Sequence, residues 1–256
     1  MVSTTDKRLR HKNEILFFDK EAESILSTKN SFELTNTKTH SEVFNEIPQL
    51  KAIVPFFGNV KDKKLLDLGC GDGWASLYFA RSGAHVVCCD ISPKCVQLAK
   101  KLAESNGLAD RISTLVMAAE ELSLKSRHFD FVFVNASLHH FDLSCAISEI
   151  KRILKRDGRA AFIEDLAYHP ILRIYRALTP HRHTVHEKPL RKKELDLICA
   201  EFEKVRIEYT GVLNVQCKNE KIWGKAQKID HMLLRIFPAI SKYARIVSIC
   251  VQNPKQ

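Results

Sequence analysis

The chain has 256 residues, 45% hydrophobic and 27% charged, the composition of an ordinary soluble globular protein with one large domain and appended pieces. No stretch reaches the ~18 consecutive apolar residues of a transmembrane helix, the basic N-terminus MVSTTDKRLRHKNEILFF lacks an apolar segment followed by a cleavage site, and the eight cysteines contain no CxxC pair. These features argue against a spanning protein, a secreted one and the common zinc-knuckle and thioredoxin types. The expectation is a cytoplasmic chain with reduced thiols; its net charge of +10 suits nucleic acid, an anionic membrane surface or an anionic substrate, and equally plain background basicity.

In chain order, residues 7–57 read as helical, with Ile15, Leu16, Phe18, Ala22 and Ile25 on one stripe and a second helix near 43–53, so residues 1–60 form an N-terminal helical cap. From 65 onward short apolar runs alternate with amphipathic stretches. Strands are predicted at 65–70, 84–90, 112–118, 129–135 and 159–165, and helices at 74–81, 93–105 and 143–154. Pro93 stands in the first turn of its helix, and the apolar run 131–134 within the strand 129–135 suits a parallel strand covered on both faces. Beyond it, residues 166–190 hold three prolines and the run His181-Arg182-His183-Thr184-Val185-His186, a lid insertion after the fifth strand. A helix near 190–202, a strand at 205–209, a helical insertion at 211–242 and a last strand at 244–251 complete the chain. Strands alternating with helices give an α/β fold with a doubly wound parallel sheet.

The most informative segment is Leu65-Leu66-Asp67-Leu68-Gly69-Cys70-Gly71-Asp72-Gly73. A buried strand ends, and Gly69, Gly71 and Gly73 at alternate positions let the backbone turn into a helix and a ligand approach the main chain. In an open α/β sheet this turn lies at the carboxyl edge of the first strand, where ligands bind. Such turns also serve dinucleotides. Here, however, the spacing is GxGxG, and Asp67 and Asp72 would repel a phosphate while suiting a cationic amino or sulfonium group.

This segment resembles motif I of the class I S-adenosylmethionine-dependent methyltransferases, and the resemblance covers residues 60–165 closely and extends more weakly to 251. It implies a Rossmann-like, mostly parallel seven-stranded sheet in a domain spanning 61–256, with S-adenosyl-L-methionine as cofactor. Asp90, ending the second strand, takes the place of the family's acid that hydrogen-bonds the ribose hydroxyls. Ile91 is implied to pack on the adenine. Ala119 and Glu120 match the backbone amide and acid at the adenine edge. Asn135-Ala136-Ser137-Leu138-His139-His140-Phe141 corresponds to the loop beside the methionine moiety.

Methyl transfer needs alignment of nucleophile, methyl and sulfur, and a base when the acceptor is a neutral hydroxyl. His139 and His140 are the first candidates for that base; Glu164 and Asp165, at the tip of the fifth strand, face the same crevice by topology. The His181–His186 run has HxH spacing but lacks an acidic co-ligand set, so no metal is expected and a basic lid, with Arg173, Arg176 and Arg182, is the preferred reading. A small-molecule acceptor is expected, and no nucleic acid: the position of an Asn/Asp-Pro-Pro-Tyr loop reads Asn135-Ala136-Ser137-Leu138, no cysteine follows the fourth strand there, and no RNA-binding module is appended. Residues 166–190 resemble the substrate-covering insertion of bacterial enzymes acting on quinone, lipid and secondary-metabolite precursors. Two further readings stand beside this one. In 221–237, Trp223, Ile229, Leu233 and Phe237 against Lys221, Lys225, Lys228 and Arg235 fit peripheral contact with an anionic membrane as well as a helix packed on its own domain. The chain could also serve as a non-catalytic S-adenosylmethionine-binding subunit.

Overall fold

The computed structural model describes residues 4–28, 47, 49–184, 186–213 and 220–255. A seven-stranded sheet is built from β1 (Lys64–Leu68), β2 (His85–Asp90), β3 (Ile112–Val116), β4 (Phe129–Asn135), β5 (Leu154–Asp165), β6 (Phe202–Thr210) and β7 (Ile246–Pro254). Its order is β3-β2-β1-β4-β5-β7-β6. β1 to β5 run parallel, whereas β7 is antiparallel to both β5 and β6. The strand order reverses at β1, and the crevice there lies between the carboxyl ends of β1 and β4.

The helices are α1 (Thr4–Thr28), α2 (Leu50–Phe57), α3 (Trp74–Arg81), α4 (Pro93–Ser105), α5 (Leu143–Ile153), α6 (Pro170–Leu178), α7 (Lys192–Ala200) and α8 (Glu220–Ile236). One face of the sheet buries Leu65, Phe79, Val86 and Phe133 together with Leu50, Ile53 and Phe57 of α2 and Ala22 of α1, so the cap helices share a core with the sheet. The other face buries Val132, Phe162 and Ile249 beneath Ile147, Ile150 and Ile198 of α5 and α7. Burial of each such side chain contributes about 1.5–3 kcal/mol. Local chemistry sets the ends: the Ser92 hydroxyl caps α4 by accepting the Cys95 N–H, with Pro93 at the first helical position, and Asp142 caps α5 in the same way.

Several boundaries differ from the sequence reading. The helix expected over 43–53 is seen from Leu50 to Phe57, because Leu50, Ile53 and Phe57 make one buried stripe; residues 43–46 and 48 lie outside the described residues. α5 stops at Ile153, and β5 begins at once, since Leu154 is buried and pairs with Phe129 across a register shift in β4. Leu16, assigned to the inward stripe of α1, is 60% exposed. The inward face instead runs through His11, Glu14, Phe18 and Ala22, two of which are polar.

Candidate active site

A cavity of about 210 Å³ opens at the carboxyl ends of β1, β2 and β4 and is lined on one side by His11, Glu14 and Phe18 of α1. Its floor is the turn after β1. Gly69, Gly71 and Gly73 all have positive φ, at 70°, 54° and 83°, and a Cβ would be refused for different reasons. At Gly69 it would lie 2.5 Å from the Ser137 side chain, and at Gly73 it would lie 2.7 Å from Ala99 Cβ. At Gly71 nothing lies within 4 Å, so its backbone faces the cavity directly. Gly73 thus serves the packing of α3 on α4, away from the cavity lining.

Asp90 reaches the cavity from the end of β2. Its Oδ2 accepts the Gly71 N–H at 3.0 Å and its Oδ1 the Ser92 N–H at 2.9 Å, leaving lone pairs for a ligand hydroxyl. Burial pushes this carboxyl above its ordinary range, and the N–H donors from Ser92 and Gly71 oppose that. Ile91, Ala119 and Asn135 line the same space. Asp67 does not: it is buried beneath the turn, its carboxylate accepts the Ser76 hydroxyl at 2.7 Å, and burial raises its pKa to about 7. Asp72 is the motif's acid at the cavity wall.

Glu120 borders the cavity with its carboxylate already engaged. It accepts from Arg10 Nη2 at 2.5 Å, from the Asp142 N–H at 2.7 Å and pairs with His11 Nε2 at 3.2 Å. Burial would raise its pKa, but His11, the Asp142 N–H and Arg10 outweigh that and lower it. Glu120 therefore docks α1 onto the loop after β3.

The loop after β4 separates the three residues singled out for catalysis. Glu164, buried at the end of β5, receives the N–H groups of Ser137 (2.8 Å) and Leu138 (2.7 Å) on Oε1, and His139 Nδ1 lies 2.6 Å from Oε2. Glu164 and His139 lie outside the cavity lining and act on the loop's conformation. Burial disfavours a charged His139 ring, yet the carboxylates of Glu164, Glu187 and Asp165 raise its pKa above the usual value.

His140 alone of the three lines the cavity. Its Nδ1 lies 3.0 Å from Glu14 Oε2, and its ring meets that of Phe18 edge-on at 5.2 Å. Glu14 is buried, and its other oxygen accepts the Thr184 hydroxyl of the lid at 2.7 Å. Burial would raise the Glu14 pKa, but His140 and Thr184 lower it, so it stays ionised. One carboxylate thereby joins α1, the β4 loop and the lid. Sequence reasoning missed His11, Glu14 and Phe18. Their signal is the 3- and 4-residue spacing from 11 to 22, which places two polar residues on an inward helical face.

The lid histidines go to separate partners. His183 Nδ1 lies 3.1 Å from Glu187, and His186 Nε2 lies 3.2 Å from Asn13 Nδ2 of α1. Among the described residues, His139, His140 and Glu187 offer ligand atoms within 4.8 Å of one another. Each of the three has a partner elsewhere: Glu187 holds Arg176 at 2.7 Å and His183 at 3.1 Å, His139 Nδ1 lies on Glu164 and His140 Nδ1 on Glu14.

Residues 66–162, from within β1 into β5, match the family model described as a methyltransferase domain. This core of the chain is thus similar to a methyltransferase domain, and the match leaves the flanking helices outside it. An uncharacterized protein of Haemophilus influenzae is 31% identical over 62% of this chain and 60% of its own length. A ubiquinone biosynthesis O-methyltransferase of Rhizobium etli is 28% identical over 69% of this chain and 73% of its own. The chain thus spans about 60% of the length of the first of these relatives and much less of several others. Among solved structures, a geranyl diphosphate C-methyltransferase of Streptomyces coelicolor superposes with a TM-score of 0.61 at 16% identity, covering 86% of each chain, a likeness of fold. The residues present fit S-adenosylmethionine: an open glycine backbone at Gly71, a carboxylate with free lone pairs at Asp90, apolar walls at Ile91 and Met117, and, among the described residues, no phosphate-seeking lysine or arginine in the cavity lining.

Proposed function

We propose that this protein methylates a lipophilic small-molecule acceptor in the cytoplasm, with His140 as the base and Glu14 as its positioning residue. The observation that carries the reading is the His140–Glu14 pair inside the cavity. Bound S-adenosylmethionine supplies a methyl group on a sulfonium sulfur. Asp90 is suited to its ribose hydroxyls, the Gly71 backbone to close approach, and Ile91 and Met117 to its adenine. Glu14 at Nδ1 orients the His140 ring and leaves Nε2 to take the acceptor's hydroxyl proton. Glu14 then compensates the imidazolium charge. An amine or carbon nucleophile needs the base after or without the transfer, and the same alignment serves it.

The small size of the acceptor is supported by the cover over the cavity, where Phe18 overhangs it and Glu14 ties it to the lid through Thr184. A lipophilic acceptor is supported by the aromatic walls Phe18, Trp74 and Phe141 and by the named acceptors of the quinone and terpene relatives. Among the described residues no helix is long and apolar enough to cross a membrane.

The test is mass spectrometry of cell extract incubated with the protein and a methyl donor carrying an isotopic label. The expected result is label in a small apolar product, with His140→Ala lowering kcat by about 10²-fold or more while donor affinity holds. Label confined to protein or nucleic acid overturns the acceptor class. Tight donor binding with no labelled product favours a non-catalytic subunit.

A further inference from the structure

We infer that the outer faces of α6 and α8, with the turn Pro238–Tyr243, form a docking surface for an anionic lipid bilayer. Helices of soluble proteins turn their apolar stripe inward; α6 is the reverse. None of its nine residues is buried. Ile171, Ile174 and Leu178, spaced three and four apart on one face, are 56%, 62% and 75% exposed, and Tyr175 beside them is 40% exposed. The charged residue Arg176 points the other way, to Glu187 at 2.7 Å and Asp165 at 3.6 Å.

α8 extends the same pattern. Asp230 fixes it to the body by accepting the N–H groups of Gly211 and Leu213, each at 2.9 Å, while Ile229, Met232, Ile236 and Phe237 are exposed. The two helices meet at one segment: His169, the cap of α6, borders the backbone of Gly211 and Val212. Both lie at the edge of the sheet where β5 ends and β7 begins, since Leu166 N–H bonds the Arg245 carbonyl. Exposed apolar patches of this kind mark an interaction site.

Charge selects the occupant. Between Asp165 and Glu187 the chain has no acidic residue, and Arg173 and Arg182 are exposed there. From 221 to 243 the single acid is Asp230, which is buried and engaged, against Lys225, Lys228, Arg235 and Lys242 among the described side chains. Two copies meeting through this face would oppose cation to cation. Anionic headgroups neutralise the basic ring while the apolar residues enter the acyl boundary. The inference adds a source of acceptor to the proposed function, but vesicle binding is independent of whether that reading holds.

The experiment is flotation of the full chain with phosphatidylcholine vesicles made with and without phosphatidylglycerol, at low and high salt. The wild type is expected to float with the anionic vesicles, less so at high salt, and to stay behind with the neutral ones. Ile174→Asp with Leu178→Asp should lower partitioning by about tenfold or more with donor affinity unchanged, which reports that the cavity and fold persist. Should that pair fail to bind donor, Ile236→Ser with Phe237→Ser on the second stripe gives the same reading. No flotation of the wild type overturns the inference, as does equal flotation with neutral vesicles. A concentration-dependent dimer that the same substitutions dissolve, without vesicle binding, also overturns it and assigns the face to a second copy.

Discussion

Replacing Glu164 with alanine removes one carboxylate that holds three groups at once. The N–H groups of Ser137 and Leu138 lose their acceptor, and His139 loses the partner 2.6 Å from its Nδ1. All of this is buried, with Glu164 only 1% exposed, so water does not readily take its place. Each unsatisfied N–H costs about 1–3 kcal/mol, and breaking a buried ion pair by deleting one partner costs about 3–5 kcal/mol. The three losses belong to one network and do not add, so a destabilisation of about 3–5 kcal/mol is expected for Glu164→Ala. Glu164→Gln keeps an oxygen for the two N–H groups and loses only the charge facing His139, and should cost about 1–3 kcal/mol.

The pH dependence separates the two contributions. The folded-state pKa of His139 is raised above 6.5, so the charge-pair contribution is complete below that value and disappears as pH rises through the folded-state pKa. The gap between wild type and Glu164→Gln should therefore narrow as pH rises through the folded-state pKa of His139, while the gap for Glu164→Ala persists. Urea unfolding followed by circular dichroism across this range measures both. A Glu164→Ala protein within about 1 kcal/mol of wild type, or a Glu164→Gln gap independent of pH, would refute the account of Glu164 as the clamp of the β4 loop.

The buried Asp67 gives the opposite kind of signature to an ordinary paired acid. Its pKa is raised from 3.8 to about 7, so wild-type stability should fall as pH rises through that window, by about 1.4 kcal/mol per unit; Asp67→Asn should flatten the curve there, and parallel unfolding curves would contradict the burial argument. Asp90→Ala removes the carboxylate at the cavity wall, and isothermal titration should show donor binding weakened by about 1–3 kcal/mol; an unchanged Kd would misplace the cofactor. Glu14→Gln should lower kcat and alter the pH–rate profile while leaving donor Kd in place, since Glu14 acts through His140; a changed Kd with an unchanged profile would make it merely structural.

The βα core and the glycine turn were legible because their signals are local. An apolar run at 131–134, glycines at 69, 71 and 73 and an acid ending β2 state their purpose within a few residues, through backbone conformation and burial. The cofactor family follows from those residues in their order. What periodicity could not convey is which way a polar side chain turns. Asp67 stands in the motif yet lies under the turn with Ser76, and Glu120 stands beside the cavity yet is engaged by Arg10 and His11. His139 and His140 are neighbours in sequence, but one faces Glu164 and the other the cavity.

The candidate base pair depends on contacts distant along the chain. Glu14 lies 170 residues from Thr184, which shares its carboxylate with His140, and no local pattern announces such a pairing. The same is true of α6, which from sequence reads as part of the lid insertion 166–190 with no helix assigned. Only its seating, with Arg176 drawn inward by Glu187 and Asp165, turns its apolar stripe to the outside. The sequence by itself determined the sheet and the glycine turn, because backbone propensity and burial are written residue by residue, and the methyl donor came with the family those residues resemble. The tertiary structure decided which side chains meet, because electrostatic partners across the fold are chosen by packing.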